Sequence, residues 1–187
     1  MAKRITIIQG HPDPAGNHFG NALAEAYEQA CRRGGHDVRR IDVAKLDFPL
    51  LRTKEDFDKG HTPETLRGAS EDIRWADHLV ILFPLWLGTL PALLKGFFEQ
   101  VFRPSDVDLN TVLKGKTARL IVTMGMPAAF YRWYFGAHGV RGLEKSVLRF
   151  CGVGNIQENL IGMVERPDPA DRKKWITKME KLGQDGK

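Results

Sequence analysis

The sequence predicts a doubly wound α/β fold, with five parallel strands in the order 2-1-3-4-5 and helices on both faces. Three observations carry this. Short, nearly continuous apolar runs recur along the chain, as strands buried on both faces require. Segments with three-to-four apolar spacing alternate with them. The 187 residues hold five such pairs and leave too little chain for a six-stranded dinucleotide-binding fold.

The elements follow in order. Lys3–Ile8 is a strand bounded by Gly10. His18–Arg33 is a helix, since Phe19, Ala22, Leu23, Ala26, Tyr27 and Ala30 share one face and Gly34-Gly35 ends it, with Asn17 as its cap. Asp37–Val43 is a weaker strand, and residues 44 to 62 read as irregular. A helix over Pro63–Trp75, with Thr62 as cap, leads to His78–Phe83, the most apolar strand. Pro91–Phe102 is a helix with proline in its first turn, and Thr117–Thr123 a fourth strand. His138–Phe150 is a helix, Ile156–Val164 the fifth strand and Asp168–Leu182 a closing amphipathic helix. With no repeat and no low-complexity tract, residues 1 to 187 read as one domain.

Composition narrows the function classes. The chain is 42% hydrophobic and 27% charged, with a mean hydropathy of −0.32. No apolar run approaches the roughly 18 residues of a membrane span, and the opening MAKRITIIQGHPDP has no signal-type core. The two cysteines, Cys31 and Cys151, have no partner at metal or disulfide spacing, which suits a reducing, cytoplasmic setting. The net charge is +5, but it is dispersed, and no nucleic-acid-binding pattern accompanies it.

Ligands of open α/β sheets sit beyond the carboxyl ends of the strands, at the switch in strand order. Three loops therefore matter. Gly10–His18 is not a G-x-G-x-x-G turn, yet it leads into a helix N-terminus, and the first acid of that helix is Glu25. Its opening turn is left free for an anion, with His11 and His18 as donors; a stiff turn with two surface histidines is the other reading. Phe83–Pro91 is apolar and aromatic where a connection normally faces water, suiting either a wall for a flat ligand or a subunit contact. Thr123–Pro127 precedes Phe130–Phe135, in which five of six residues are aromatic, a buried lid or a cover over a planar cofactor. Nucleophile elbow, P-loop and metal-ligand spacings are all missing from the sequence.

Together these loops resemble the NAD(P)H:quinone oxidoreductase branch of the flavodoxin-like fold. The resemblance is strongest over Phe83-Pro84-Leu85-Trp86 and Pro91–Phe102, and extends to His138-Gly139 and Phe150-Cys151-Gly152. It implies a flavin whose phosphate and ribityl end is held by His11, Asn17, His18 and Phe19. Pro84, Leu85, Trp86 and Leu87 would form the ring-binding loop and offer backbone N–H groups to the flavin's polar edge, with Thr123, Met124 and Gly125 on the other side. Tyr131 and His138 resemble the residues that assist hydride transfer. FMN is the first choice, since the chain lacks the C-terminal extension of the longest relatives, and FAD the alternative. NAD(P)H is the implied co-substrate, a quinone the acceptor, ping-pong the order of reaction and a homodimer the assembly. Ser105–Asn110, polar and without an aromatic ring, departs from the relatives where they shape the acceptor pocket. The rival functions are a flavodoxin-type electron carrier, a regulatory partner of a membrane transporter and a flavin-free binding module.

Overall fold

The computed structural model describes residues 1–165 and 168–187. Five strands, β1 (Arg4–Gln9), β2 (Asp37–Asp42), β3 (His78–Pro84), β4 (Thr117–Thr123) and β5 (Asn155–Ile161), form one parallel sheet in the order β2-β1-β3-β4-β5. This is the expected order, and the switch falls between β1 and β3.

Pleating explains how one apolar run feeds two cores. In β3, Leu79, Ile81 and Phe83 enter the cluster with Leu94, Phe97 and Leu120, while Val80 and Leu82 enter the opposite one with Ile5, Ile7, Leu23, Tyr27 and Met179. Helices α3 (Glu64–Trp75) and α4 (Ala92–Val101) supply the first cluster, and α1 (Phe19–Arg33) and α7 (Pro169–Gln184) the second. Each fully buried Ile or Leu contributes roughly 1.5–3 kcal/mol, so strands and helices share the core's stabilisation. Helices α1 and α7 pack closely because Gly183 has no side chain: a Cβ there would run into the carbonyl oxygen of Tyr27.

Several boundaries differ from expectation, for local reasons. Residue 18, not Asn17, stands at the N-cap of α1, and His18 makes no side-chain cap bond. Pro63 occupies the N-cap of α3, and the Thr62 hydroxyl instead donates to the carbonyl of Gln100 at 3.0 Å. The stretch read as irregular contains a 3-10 turn at Val43–Lys45 and α2 (Lys54–Lys59), a solvent-facing helix capped by Thr53, which accepts from the Asp56 N–H at 3.0 Å. The aromatic segment forms α5 (Ala128–Trp133), and the next helix is short, α6 (His138–Gly142), continuing as a π-helix over Leu143–Arg149. Asp168 caps α7 by accepting from the Ala170 N–H at 2.8 Å.

Cys31 and Cys151 are both buried and unpaired. Burial pushes their thiols up, to about 12 and about 11, so neither is a nucleophile at neutral pH. Among the described residues, no helix is long and apolar enough to cross a membrane and no cluster of three or more His, Cys, Asp or Glu could hold a metal ion.

Candidate flavin site

The loops after β1, β3 and β4 converge on one cavity of about 340 Å³. Ten of the thirteen expected site residues line it: His11, Asn17, His18, Phe19, Pro84, Leu85, Trp86, Thr123, Met124 and Gly125. Leu87, Tyr131 and His138 do not.

The first loop is stiffened from within. Gly10 lies so close to β3 that a Cβ would stand 2.5 Å from Leu94 Cδ2 and 3.0 Å from the Leu82 carbonyl, to which the Gly10 N–H donates at 2.7 Å. The rings of His11 and His18 stack, with centroids 3.8 Å apart and planes 15° from parallel. Asp13 ties them: its N–H donates to His11 Nδ1 at 3.1 Å and its carboxylate pairs with His18 Nε2 at 2.6 Å. Burial, and then the neighbouring His18, lower the basicity of His11; the Ala15 N–H, and then His18, hold the Asp13 carboxyl below its ordinary value.

Helix α1 opens onto the same cavity through Phe19 and Gly20, and its first turn contains no acid. First-turn amides lack intrahelical partners and carry the positive end of the helix dipole. Arg172, in the first turns of α7, also lines the cavity, its guanidinium carbon 5.3 Å from the centroid of the Phe19 ring. This end of the cavity therefore gathers the first-turn amides of α1 and the guanidinium of Arg172.

The other end is apolar. Pro84 pairs with Thr123 in the sheet register, so the second and third loops leave adjacent strands side by side. Trp86 and Thr89 exchange backbone hydrogen bonds of 3.0 Å in both directions across a tight turn in which Leu87 (φ 47°) and Gly88 (φ 80°) are both left-handed. Leu87 is fully exposed at the tip, outside the cavity. Trp86 is half-exposed and meets His11 edge-on, with centroids 6.1 Å apart. Of the backbone N–H groups in this loop, that of Leu85 donates to Thr123 O at 2.7 Å and that of Trp86 to Thr89 O at 3.0 Å. Among the described residues, the Leu87, Gly88 and Leu90 amides are those this loop leaves without a backbone acceptor.

Tyr131 is buried in α5. Its hydroxyl donates to the Gly88 carbonyl at 2.9 Å and accepts from the Val140 N–H at 3.3 Å, and burial raises its pKa. His138 is exposed at the start of α6, behind Ala137, which is left-handed at φ 50°. The Tyr131 hydroxyl thus meets backbone on two sides, outside the residues that line the cavity.

Three side chains of the cavity escape a reading of the sequence, Val164, Glu165 and Arg172. All follow β5, which lies beside β4. Arg172 is disguised by its place in the Arg172-Lys173-Lys174 run. Glu165 is exposed, with its carboxylate against Gly125, where a Cβ would lie 2.7 Å from Glu165 Oε1.

The cavity thus joins the N-terminus of α1 and Arg172 at one end to the aromatic Pro84–Trp86 loop at the other. Residues 3–182 match the family described as having the flavodoxin-like fold, and the chain belongs to that family. Relatives named as NAD(P)H oxidoreductases and as NAD(P)H dehydrogenases (quinone) support its resemblance to the NAD(P)H:quinone oxidoreductases within that fold. It is 27% identical over 187 residues to a Haemophilus influenzae protein named as an uncharacterized NAD(P)H oxidoreductase, covering 91% of this chain and 89% of that one. In fold it is similar to an NAD(P)H:quinone oxidoreductase of Methanothermobacter marburgensis (TM-score 0.84, 21% identity, 100% and 97% covered). It is also similar to an FMN-dependent NADH-azoreductase of Bacillus anthracis solved in complex with FMN (TM-score 0.72, 16% identity, 99% of both chains covered).

Proposed function

We propose that this chain is a flavin-dependent NAD(P)H oxidoreductase that delivers hydride to a quinone-type acceptor, with FMN as its flavin and the whole chain acting as one flavin-binding domain. The observation that carries this reading is the convergence on one cavity of an acid-free helix N-terminus, His18 and Arg172 with the Pro84–Trp86 wall.

In this reading the first-turn amides of α1, His18 and Arg172 hold the phosphate. Charge-assisted bonds to such donors are the strong ones, and Arg172 adds a fixed charge that His18 supplies only when protonated. Pro84, Leu85 and Trp86 exclude water from one side of the ring, and Thr123, Met124 and Gly125 close its pyrimidine end. Backbone amides of the Pro84–Leu87 loop would be the donors toward the ring's polar edge. His138, exposed beside the aromatic segment, gives a proton or hydrogen bond to the acceptor oxygen. When bound, the flavin supplies the hydride relay, taking hydride from the nicotinamide and passing it to an acceptor in ping-pong order. The exposed rings of Trp86, Phe130, Trp133, Tyr134 and Phe150 support a homodimer that covers them.

The test is an absorbance spectrum of the purified protein, followed by anaerobic addition of NADPH or NADH. Bands near roughly 370 and 450 nm that bleach with either nucleotide are expected of the bound flavin, and chromatography of the released cofactor distinguishes FMN from FAD. Bands that resist both nucleotides would favour the electron carrier; no flavin uptake at all would overturn the reading.

A further inference from the structure

Three segments meet at one side-chain oxygen. Tyr131 Oη donates to the carbonyl of Gly88, in the turn after β3, and accepts from the Val140 N–H, in α6, while its own backbone belongs to α5. The Tyr131 carbonyl also accepts from the Ala137 N–H at 3.2 Å, fixing the left-handed residue that starts α6. On the far side of the same contact, Gly139 lets α6 press against the turn: a Cβ there would run into the Gly88 carbonyl and lie 2.6 Å from Thr89 Cα.

The turn needs such a hold. A non-glycine residue in the left-handed region persists only where its surroundings over-determine it, and Leu87 at φ 47° makes no compensating packing, being fully exposed. The two bonds between Trp86 and Thr89 close the turn on itself but do not anchor it to the fold. The tie that runs from the turn's tip into the protein is the Gly88 carbonyl on Tyr131.

We propose that Tyr131 is a positioning residue whose hydroxyl latches the Trp86–Thr89 turn onto the α5–α6 segment, so that Trp86 stands where the cavity needs its wall. The action on the turn is a property of the fold; its consequence for a ligand rests on the flavin reading above. The latch differs from proton donation in what it disturbs. Losing a proton donor slows the acceptor half-reaction alone, whereas losing the latch shifts the ring-side wall and affects every event at the ring.

The experiment uses the full chain with Tyr131→Phe, which keeps the ring and removes the hydroxyl, and with Gly139→Ala, which wedges the turn from the other side. The first readout is amide hydrogen exchange at Trp86 and Thr89, compared with wild type. Exchange at least about tenfold faster in both variants is expected once the tie is cut. The second is FMN titration with single-turnover kinetics: a dissociation constant raised about tenfold or more and both half-reactions slowed alike, since misplacement of about 1 Å costs on the order of 10²-fold. Unchanged exchange in both variants overturns the latch, as does a loss confined to the acceptor half-reaction. Faster exchange in a chain that takes up no flavin upholds the latch and overturns the cofactor reading instead.

Discussion

Replacing Gly20 by Asp places a carboxylate at the second residue of α1, on the wall of the cavity, and should make the empty protein more stable while abolishing its affinity for FMN. Nothing blocks the substitution, because the nearest neighbour to a Cβ at Gly20 is Gln9 Nε2 at 4.0 Å. Two terms favour the empty variant: aspartate ranks just above glycine in helix propensity, a gain of about a few tenths of a kcal/mol, and an acid in the first turn is worth about 0.3–1 kcal/mol. The midpoint of urea unfolding of the flavin-free protein should therefore rise by the equivalent of about 1 kcal/mol. Against a bound phosphate the same carboxylate is a like charge. Two unit charges about 4 Å apart interact by ~4 kcal/mol at the effective dielectric of a protein surface, and the phosphate carries up to two. Even after screening, FMN affinity should fall by at least about 100-fold, roughly 2.7 kcal/mol. Riboflavin, which has the ring but no phosphate, separates charge from shape. Fluorescence-quenching titrations should show riboflavin binding unchanged in Gly20→Asp, with the FMN defect shrinking as salt rises. Equal losses for FMN and riboflavin would mean that the side chain merely obstructs the cavity. Undiminished FMN binding would remove the phosphate from the α1 N-terminus and with it the placement of the ring.

Three further outcomes follow from particular residues. His138→Ala, at an exposed position, should leave the fold intact and slow transfer to the acceptor by about 100-fold, the lower range for a lost proton donor; untouched turnover in stopped-flow measurements would take His138 out of the reaction. His78 is buried in β3, its Nδ1 paired with the Thr117 hydroxyl at 2.7 Å, and burial followed by the charge of Lys3 pushes its pKa down to about 3. Below the ordinary value near 6.5 the unfolded chain takes up a proton that the folded protein refuses, so stability is complete above that pH and is lost as pH falls toward 3. Urea unfolding between pH 6 and 5 should weaken by about 1 kcal/mol per pH unit, a slope that His78→Asn should remove. Gly183→Ala should destabilise the fold by about 1–3 kcal/mol through overpacking between α7 and α1, lowering the thermal midpoint without changing FMN affinity in the protein that remains folded.

The strand order and the two-sided core were legible because their signals are local and redundant. A run such as His78-Leu79-Val80-Ile81-Leu82-Phe83 leaves no polar face for solvent, so it specifies a central strand before any partner is known. The acid-free first turn of α1 was legible for a related reason: it is a property of a few adjacent residues. What stayed hidden depends on residues distant in the chain. Helix α2 has no buried side chain, so its apolar pattern is weak. Arg172 reaches the cavity only because β5 lies beside β4, and within its sequence it is one more basic residue. Tyr131 stands within an aromatic run as a candidate for chemistry, and only the folded chain shows its hydroxyl spent on Gly88 and Val140.

By itself the sequence determined the fold, its family, the three loops that build the site and the chemical character of each end of the cavity. Those follow from side-chain polarity, periodicity and helix-end composition, which act over a few residues. The tertiary structure alone decided which backbone donors remain available, which side chains after β5 and on α7 line the cavity, and which backbone groups the Tyr131 hydroxyl meets. A hydrogen bond is directional and lasts only over about 3 Å, so its assignment requires the positions of segments that the chain brings together from more than 40 residues apart, as with Gly88 and Tyr131 (|i−j| = 43).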